Sequence, residues 1–147
     1  MCGITGFIDT THASTVELLN SMSEVLAHRG PDHAGHAFFQ ENSCSVGLAH
    51  RRLSIIDLSP AAHQPMFSEC GNIGIILNGE IYNFTELRAE LEREGIRFFS
   101  NSDTEVALRS YLHWGMQAVH RFIGMFACAI YDRTRQKLFL LRDRTGI

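Results

Sequence analysis

No stretch of this sequence approaches 18 consecutive apolar residues, so none reads as a membrane-spanning helix. The first residues lack the basic region and continuous apolar run of a secretory signal: Gly3, Gly6 and Asp9 interrupt them. Charge of one sign is also missing. A formal net charge of −3 provides no field that would attract a nucleic acid or an acidic membrane face. The four cysteines, at positions 2, 44, 70 and 128, include no C-x-x-C pair, and the expectation is of reduced thiols in a soluble, cytoplasmic protein. No glycine-rich loop of the kind that cradles a pyrophosphate occurs, and no linker, repeat or low-complexity tract divides the chain.

What is present suits one globular unit. The chain has 147 residues, 45% apolar and 20% charged, a length at which a domain buries roughly 70% of its unfolded surface. Residues 3–9 read as a short strand. A helix opens at Ser14 with Glu17 completing a capping box, carries Leu18, Leu19, Met22, Val25 and Leu26 on one stripe, and stops at Gly30-Pro31. Strands at 37–40 and 45–50 form a hairpin, and a loop at 59–65 contains two of the prolines. Residues 72–77 are a strand, 85–94 a helix with Asn83 at its cap, and 97–100 a brief strand. Ser102 with Glu105 caps a further helix that ends at Gly115. A short helix at 118–122 precedes a second strand pair, 125–131 and 137–141.

Several polar residues sit at element ends, where α/β folds carry their chemistry. Cys2 becomes the first residue if Met1 is trimmed. It then holds a nucleophilic thiol beside its own α-amine, whose ordinary pKa of about 7.7–8.0 suits a general base. The plainer alternative is the second residue of a buried strand. Arg52, at the end of a strand, can offer a planar fork to a carboxylate, or can serve a surface ion pair. Asn78-Gly79 combines a side-chain amide with a glycine N–H, as an oxyanion hole requires, but the same dipeptide also makes hairpin turns. Asp103 suits the first turn of a helix and could equally face a ligand's ammonium. His28, His33 and His36 with Asp32 raise a metal reading, which the intervening Gly-Pro turn weakens because it breaks any shared helical face.

The words Met1-Cys2-Gly3-Ile4, His28-Arg29-Gly30-Pro31-Asp32, Ala49-His50-Arg51-Arg52-Leu53-Ser54-Ile55, Gln64-Pro65, Asn78-Gly79-Glu80-Ile81-Tyr82-Asn83, Ser102-Asp103-Thr104-Glu105, Gly124-Met125-Phe126-Ala127 and Arg142-Asp143-Arg144 run the length of the chain. In that order they resemble the N-terminal-nucleophile (class II) glutamine amidotransferase domain, most closely that of glutamine-hydrolysing asparagine synthetases. The resemblance implies an α+β fold, a four-layer αββα sandwich, here cut short at its C-terminal end. It implies that residues 1–147 are a glutaminase domain in which Cys2 attacks the side-chain amide of L-glutamine, ammonia leaves, and water releases glutamate from a thioester. Asn78 and Gly79 would be the oxyanion donors. Arg52, Ile55, Glu80 and Asp103 would bind the substrate, with Arg52 on its α-carboxylate and the two acids on its α-ammonium. No cofactor or metal is expected here; ATP and magnesium would belong to a C-terminal synthetase domain absent from these residues, which would receive the ammonia. A homodimer is compatible with the family. Two alternatives stay open, an amidotransferase acting on another carboxylate such as a sugar acid, and a non-catalytic module of the same fold.

Overall fold

The computed structural model describes residues 2–146; the expected trimming of Met1 concerns a residue outside that range. Strand β1 (Gly3–Asp9), helix α1 (Val16–Val25), β2 (His33–Gln40) and β3 (Ser45–Arg52) make the first half of the fold. The strands are antiparallel in the order β1-β3-β2, with Gly3 opposite Arg51. Burial along nearly the whole of β3 follows from its central place. Gly47 at its middle has no side chain, and the Phe7 ring and Leu19 of α1 occupy the space a Cβ would need.

The second half is a four-stranded antiparallel sheet in the order β4-β5-β6-β7, made by β4 (Met66–Phe67), β5 (Ile73–Ile81), β6 (Gly124–Asp132) and β7 (Lys137–Arg142). Helices α2 (Phe84–Arg93) and α3 (Asp103–Trp114) belong to this half. Strand alternation divides its core in two. Ile75, Leu77 and Ile81 with Phe126, Cys128 and Ile130 pack on Leu87, Val106, Leu108 and Tyr111 of the helices. Ile76, Ala129 and Tyr131 point the other way, onto Val46 and Leu48 of the first sheet. The result is helix, sheet, sheet, helix: the expected four-layer α+β sandwich. Among the described residues, no helix is long and apolar enough to cross a membrane.

The cysteines divide by burial. Cys128 is in the core, where desolvation pushes its thiol up to about 12. Cys44 packs against the inter-sheet cluster, and Cys70 is exposed beside Ser68, whose hydroxyl lowers the thiol's pKa.

Where elements differ from the sequence reading, side chains have taken the hydrogen bonds. Helix α1 starts one residue later because the Ser14 N–H donates to Asp9, leaving Thr15 as the cap that accepts from Leu18 N–H. It also ends at Leu26, short of Gly30, and residues 27–29 wind on as tight turns. Asn83 does not cap α2 with its side chain; its amide donates to the Arg121 carbonyl and its Oδ1 accepts from Ile123 N–H. Residues 97–100 form no strand, because Glu105 takes the N–H groups of Phe99 and Ser100 at 3.0 and 2.6 Å and the Ser100 hydroxyl at 2.7 Å. The short helix expected at 118–122 is a 3-10 stretch, Gly115–Arg121. Strands β2, β3 and β5 are longer than expected, and β5 runs straight through Asn78-Gly79, so that dipeptide is no hairpin turn.

Glu105 is nearly fully buried. Its replacement by alanine would leave the buried Ser100 N–H and the half-buried Phe99 N–H without an acceptor and free the turn that sets Asp103 in place. The expected loss is on the order of 3–5 kcal/mol in urea unfolding; a loss under about 1 kcal/mol would show that the turn holds without it.

Candidate active site

Cys2, at the entrance to β1, opens onto a cleft also lined by Arg52, Leu53, Ile55, Gly79, Glu80 and Asp103. Six of the seven residues singled out in the sequence therefore meet in one cavity. Its volume is about 100 Å³, small beside the 300–1,000 Å³ usual for larger ligands.

The sulfur of Cys2 is held by the chain that follows β3: Leu53 N–H donates to Sγ at 3.3 Å, and the thiol lies 3.6 Å from the Leu53 carbonyl. The word His28-Arg29-Gly30-Pro31-Asp32, which the sequence marked as a turn and a weak metal candidate, fixes this geometry. Arg29 Nε donates to the Cys2 carbonyl at 2.9 Å. Gly30 lies so close to the Arg51–Arg52 peptide that any Cβ would overlap it. Asp32 N–H donates to the Arg52 carbonyl at 3.0 Å, and its carboxylate accepts from Ser54 N–H at 2.8 Å. The residue before β1, Cys2, and the loop after Arg52 are thus tied to one turn.

Arg52 is 6% exposed, yet its guanidinium donates only to backbone carbonyls, Ser59 O at 3.2 Å and Asp57 O. Among the described residues, no carboxylate is within ion-pair distance of it. Asp57 instead spends its side chain on Ser59 N–H and Asn101 N–H, which bind the arginine loop to the approach to α3.

Asp103 stands at the first position of α3 and is 6% exposed. One oxygen accepts from Ile81 N–H at 3.0 Å. Burial raises its pKa, and the neighbouring charge of Glu80 pushes the same way. A cation between the two acids would reverse that pressure.

Gly79 has φ of 122°, and a side chain there would strike the Met125 carbonyl. Asn78 differs from the other six. By alternation its side chain lies with Ile76 on the face of β5 toward the first sheet, where β1 begins; it does not line the cleft, and its Oδ1 is buried without a partner.

The histidines of the metal reading are dispersed in role: His28 Nδ1 meets the Val25 carbonyl, whereas His33 stacks on His63 at 3.5 Å. Sequence reasoning missed Arg29, Asp32 and Gln64 as site-building residues; their motif words were visible, but the contacts they make span 13 to 40 residues and leave no local pattern.

An antiparallel sandwich that sets the cysteine at position 2 at the head of its first strand, in a cleft with a buried cation and two acids, has the architecture of an N-terminal-nucleophile amidotransferase domain. The chain belongs to that family: residues 1–147 match the glutamine amidotransferase domain. It is 42% identical to "Asparagine synthetase [glutamine-hydrolyzing] 1" of Bacillus subtilis and 41% identical to "Amidase chry2" of Gibberella zeae, in each case over 100% of this chain and 23% of the relative. The chain thus spans about a quarter of the length of these relatives. The fold is shared with the glutamine phosphoribosylpyrophosphate amidotransferase of B. subtilis, at a TM-score of 0.76 and 19% identity over 97% of this chain and 37% of that one.

His50, fully buried, gives the site a pH dependence. The Leu77 carbonyl can only accept, so Nε2, 3.0 Å away, carries the ring proton. Desolvation, assisted by the charges of Arg52 and His33, lowers its pKa from 6.5 to about 4. The unfolded chain therefore takes up a proton before the folded one. The stability this contributes is complete above pH 6.5 and is lost as pH falls toward 4, by about 3 kcal/mol in all. Urea unfolding between pH 6.5 and 5 should show the decline, and His50→Gln should lessen its slope; an unchanged slope would remove His50 as its source.

Proposed function

We propose that this chain hydrolyses the side-chain amide of L-glutamine to glutamate and ammonia, with Cys2 as nucleophile. The observation that carries this reading is the buried Arg52 guanidinium, without a carboxylate at ion-pair distance among the described residues, in the same cleft as Cys2, Glu80 and Asp103. An unpaired buried cation is costly to keep. A free amino acid resolves that cost, because its α-carboxylate pairs with Arg52 and its α-ammonium with the two acids. Its side chain is left to reach the sulfur, and Ile55 covers the bound molecule from the arginine loop.

In the proposed reaction Met1 is absent and the α-amine of Cys2 takes the thiol proton. Sulfur adds to the amide carbon, the oxygen's negative charge is met by Gly79 N–H, which the Asn78 amide would join only by turning out of the inter-sheet face, and the proton passes to the nitrogen as the C–N bond breaks. Ammonia leaves a thioester, which water cleaves to glutamate. None of these steps calls on a cofactor or metal. The reaction needs a reduced thiol, which suits the cytoplasm.

Further, we read the ammonia as passing to an ATP- and magnesium-dependent synthetase domain of the asparagine synthetase kind, in a protein that can pair as a homodimer. The similar identity to "Amidase chry2" supports a second reading in which the acceptor is a different carboxylate. Supplying the full-length protein with ATP, glutamine and aspartate distinguishes the two, since asparagine forms only in the first.

A glutamine-shaped electrophile, 6-diazo-5-oxo-norleucine, should give one adduct on Cys2 in a protein whose intact mass lacks one methionine. Cys2→Ala should abolish glutamine hydrolysis while leaving glutamine binding measurable. Retained methionine with no adduct, or undiminished turnover in Cys2→Ala, would defeat the mechanism and favour a non-catalytic module.

A further inference from the structure

Strand β5 loses its neighbour halfway along. Strand β4 is two residues long and covers β5 only as far as Ile75, opposite Met66. Along an antiparallel strand every second N–H points to the same side, so beyond Ile75 the groups of Leu77, Gly79 and Ile81 face the side that β4 has vacated. An exposed row of donors would be an open sheet edge, yet two of the three are taken by side chains. Leu77 N–H donates to Gln64 Oε1 at 2.6 Å, and Ile81 N–H donates to Asp103 Oδ2 at 3.0 Å. Among the described residues, no loop carbonyl or side chain accepts from Gly79 N–H, which lies between them and opens on the cleft.

Gln64 is 6% exposed and held at both ends of its amide. Its Nε2 donates to Thr104 Oγ1 at 3.0 Å, in the first turn of α3, immediately after Asp103. The other side of the Leu77 residue is fixed as well, its carbonyl accepting from His50 Nε2. The backbone entering Asn78-Gly79 is therefore clamped from β3, from the loop before β4 and from α3 together.

We infer that Gln64 is a positioning residue for the oxyanion site: its side-chain amide replaces the missing strand neighbour at Leu77, and so aims the one free amide, Gly79 N–H, at the reacting carbonyl. This rests on the glutaminase reading above. Gln64 lines the cleft but has both polar ends engaged by protein, so it acts through Gly79 and not on substrate. Its effect should fall on species that carry a charged oxygen and spare those that do not.

The test compares two ligands on the full chain. Glutamate, the product, has no tetrahedral oxygen at the reacting carbon. Glutamate γ-semialdehyde adds the Cys2 sulfur across its C=O bond, the thiol proton passing to the new oxygen or to the α-amine, and so presents the oxyanion site with its occupant. In Gln64→Met, similar in shape but without an amide, kcat for glutamine should fall on the order of 10- to 100-fold with KM within about threefold. The Ki of the semialdehyde should rise by a comparable factor while that of glutamate holds. Thr104→Val, which frees one end of the Gln64 amide, should show the same pattern in smaller measure and decides the matter if Gln64→Met does not fold. Equal losses for both ligands, or a changed KM with unchanged kcat, would reduce Gln64 to a packing residue and overturn the inference. If the unsubstituted protein binds neither ligand, the glutaminase reading falls and this inference with it.

Discussion

The rest of the site depends on a positive charge kept out of water. Arg52 sits at the end of a central strand, where it donates to two main-chain carbonyls and, among the described residues, has no carboxylate at ion-pair distance. Carbonyl dipoles soften the desolvation of a guanidinium but do not cancel it. The loop from Leu53 to Ser59 is shaped by that need: it curls back so that the carbonyls of Asp57 and Ser59 reach the fork, while Asp57 turns its own carboxylate to backbone amides. The same curl sets Leu53 against the sulfur of Cys2 and leaves Ile55 70% exposed at the rim.

Fixing Cys2 to such a loop requires that the start of the chain be pinned, and chain starts are ordinarily loose. Pairing of Gly3 with Arg51 does part of this, and Arg29 on the Cys2 carbonyl does the rest. Gly30 is the only residue type that permits the turn to approach so closely. Stability and chemistry meet here, because the contacts that close the first sheet are those that aim the cysteine.

Much of the fold could be read from local signals. Ser102 caps α3 through Glu105 N–H, and Gly115 ends that helix with φ of 60°. The positions of Cys2, Arg52, Glu80 and Asp103 followed from motif words that the folded chain gathers into one cleft. Less legible were features decided by distant partners. Glu105 looked like half of a capping box, but its carboxylate reaches back to Phe99 and Ser100 and dissolves the strand expected there. Asn83 is the cap of α2 by position, but its side chain bridges to residues 121 and 123 instead of closing the helix end. Nothing near Gln64 in sequence indicates that it completes a strand edge 13 residues away.

The uneven environments of the cysteines bear on how this protein meets oxidants and alkylating agents. Cys128 is sealed in hydrocarbon and stays protonated, whereas Cys70, in a surface turn with an acidified thiol, is open to any small electrophile that passes. Indiscriminate reagents should therefore mark Cys70, which lies outside the cleft, as well as residues within it. On the proposed glutaminase reading, selectivity for Cys2 would come from molecular shape: a compound that brings an acid and an amine to Arg52 and its opposing carboxylates would gain the residence time to react there first.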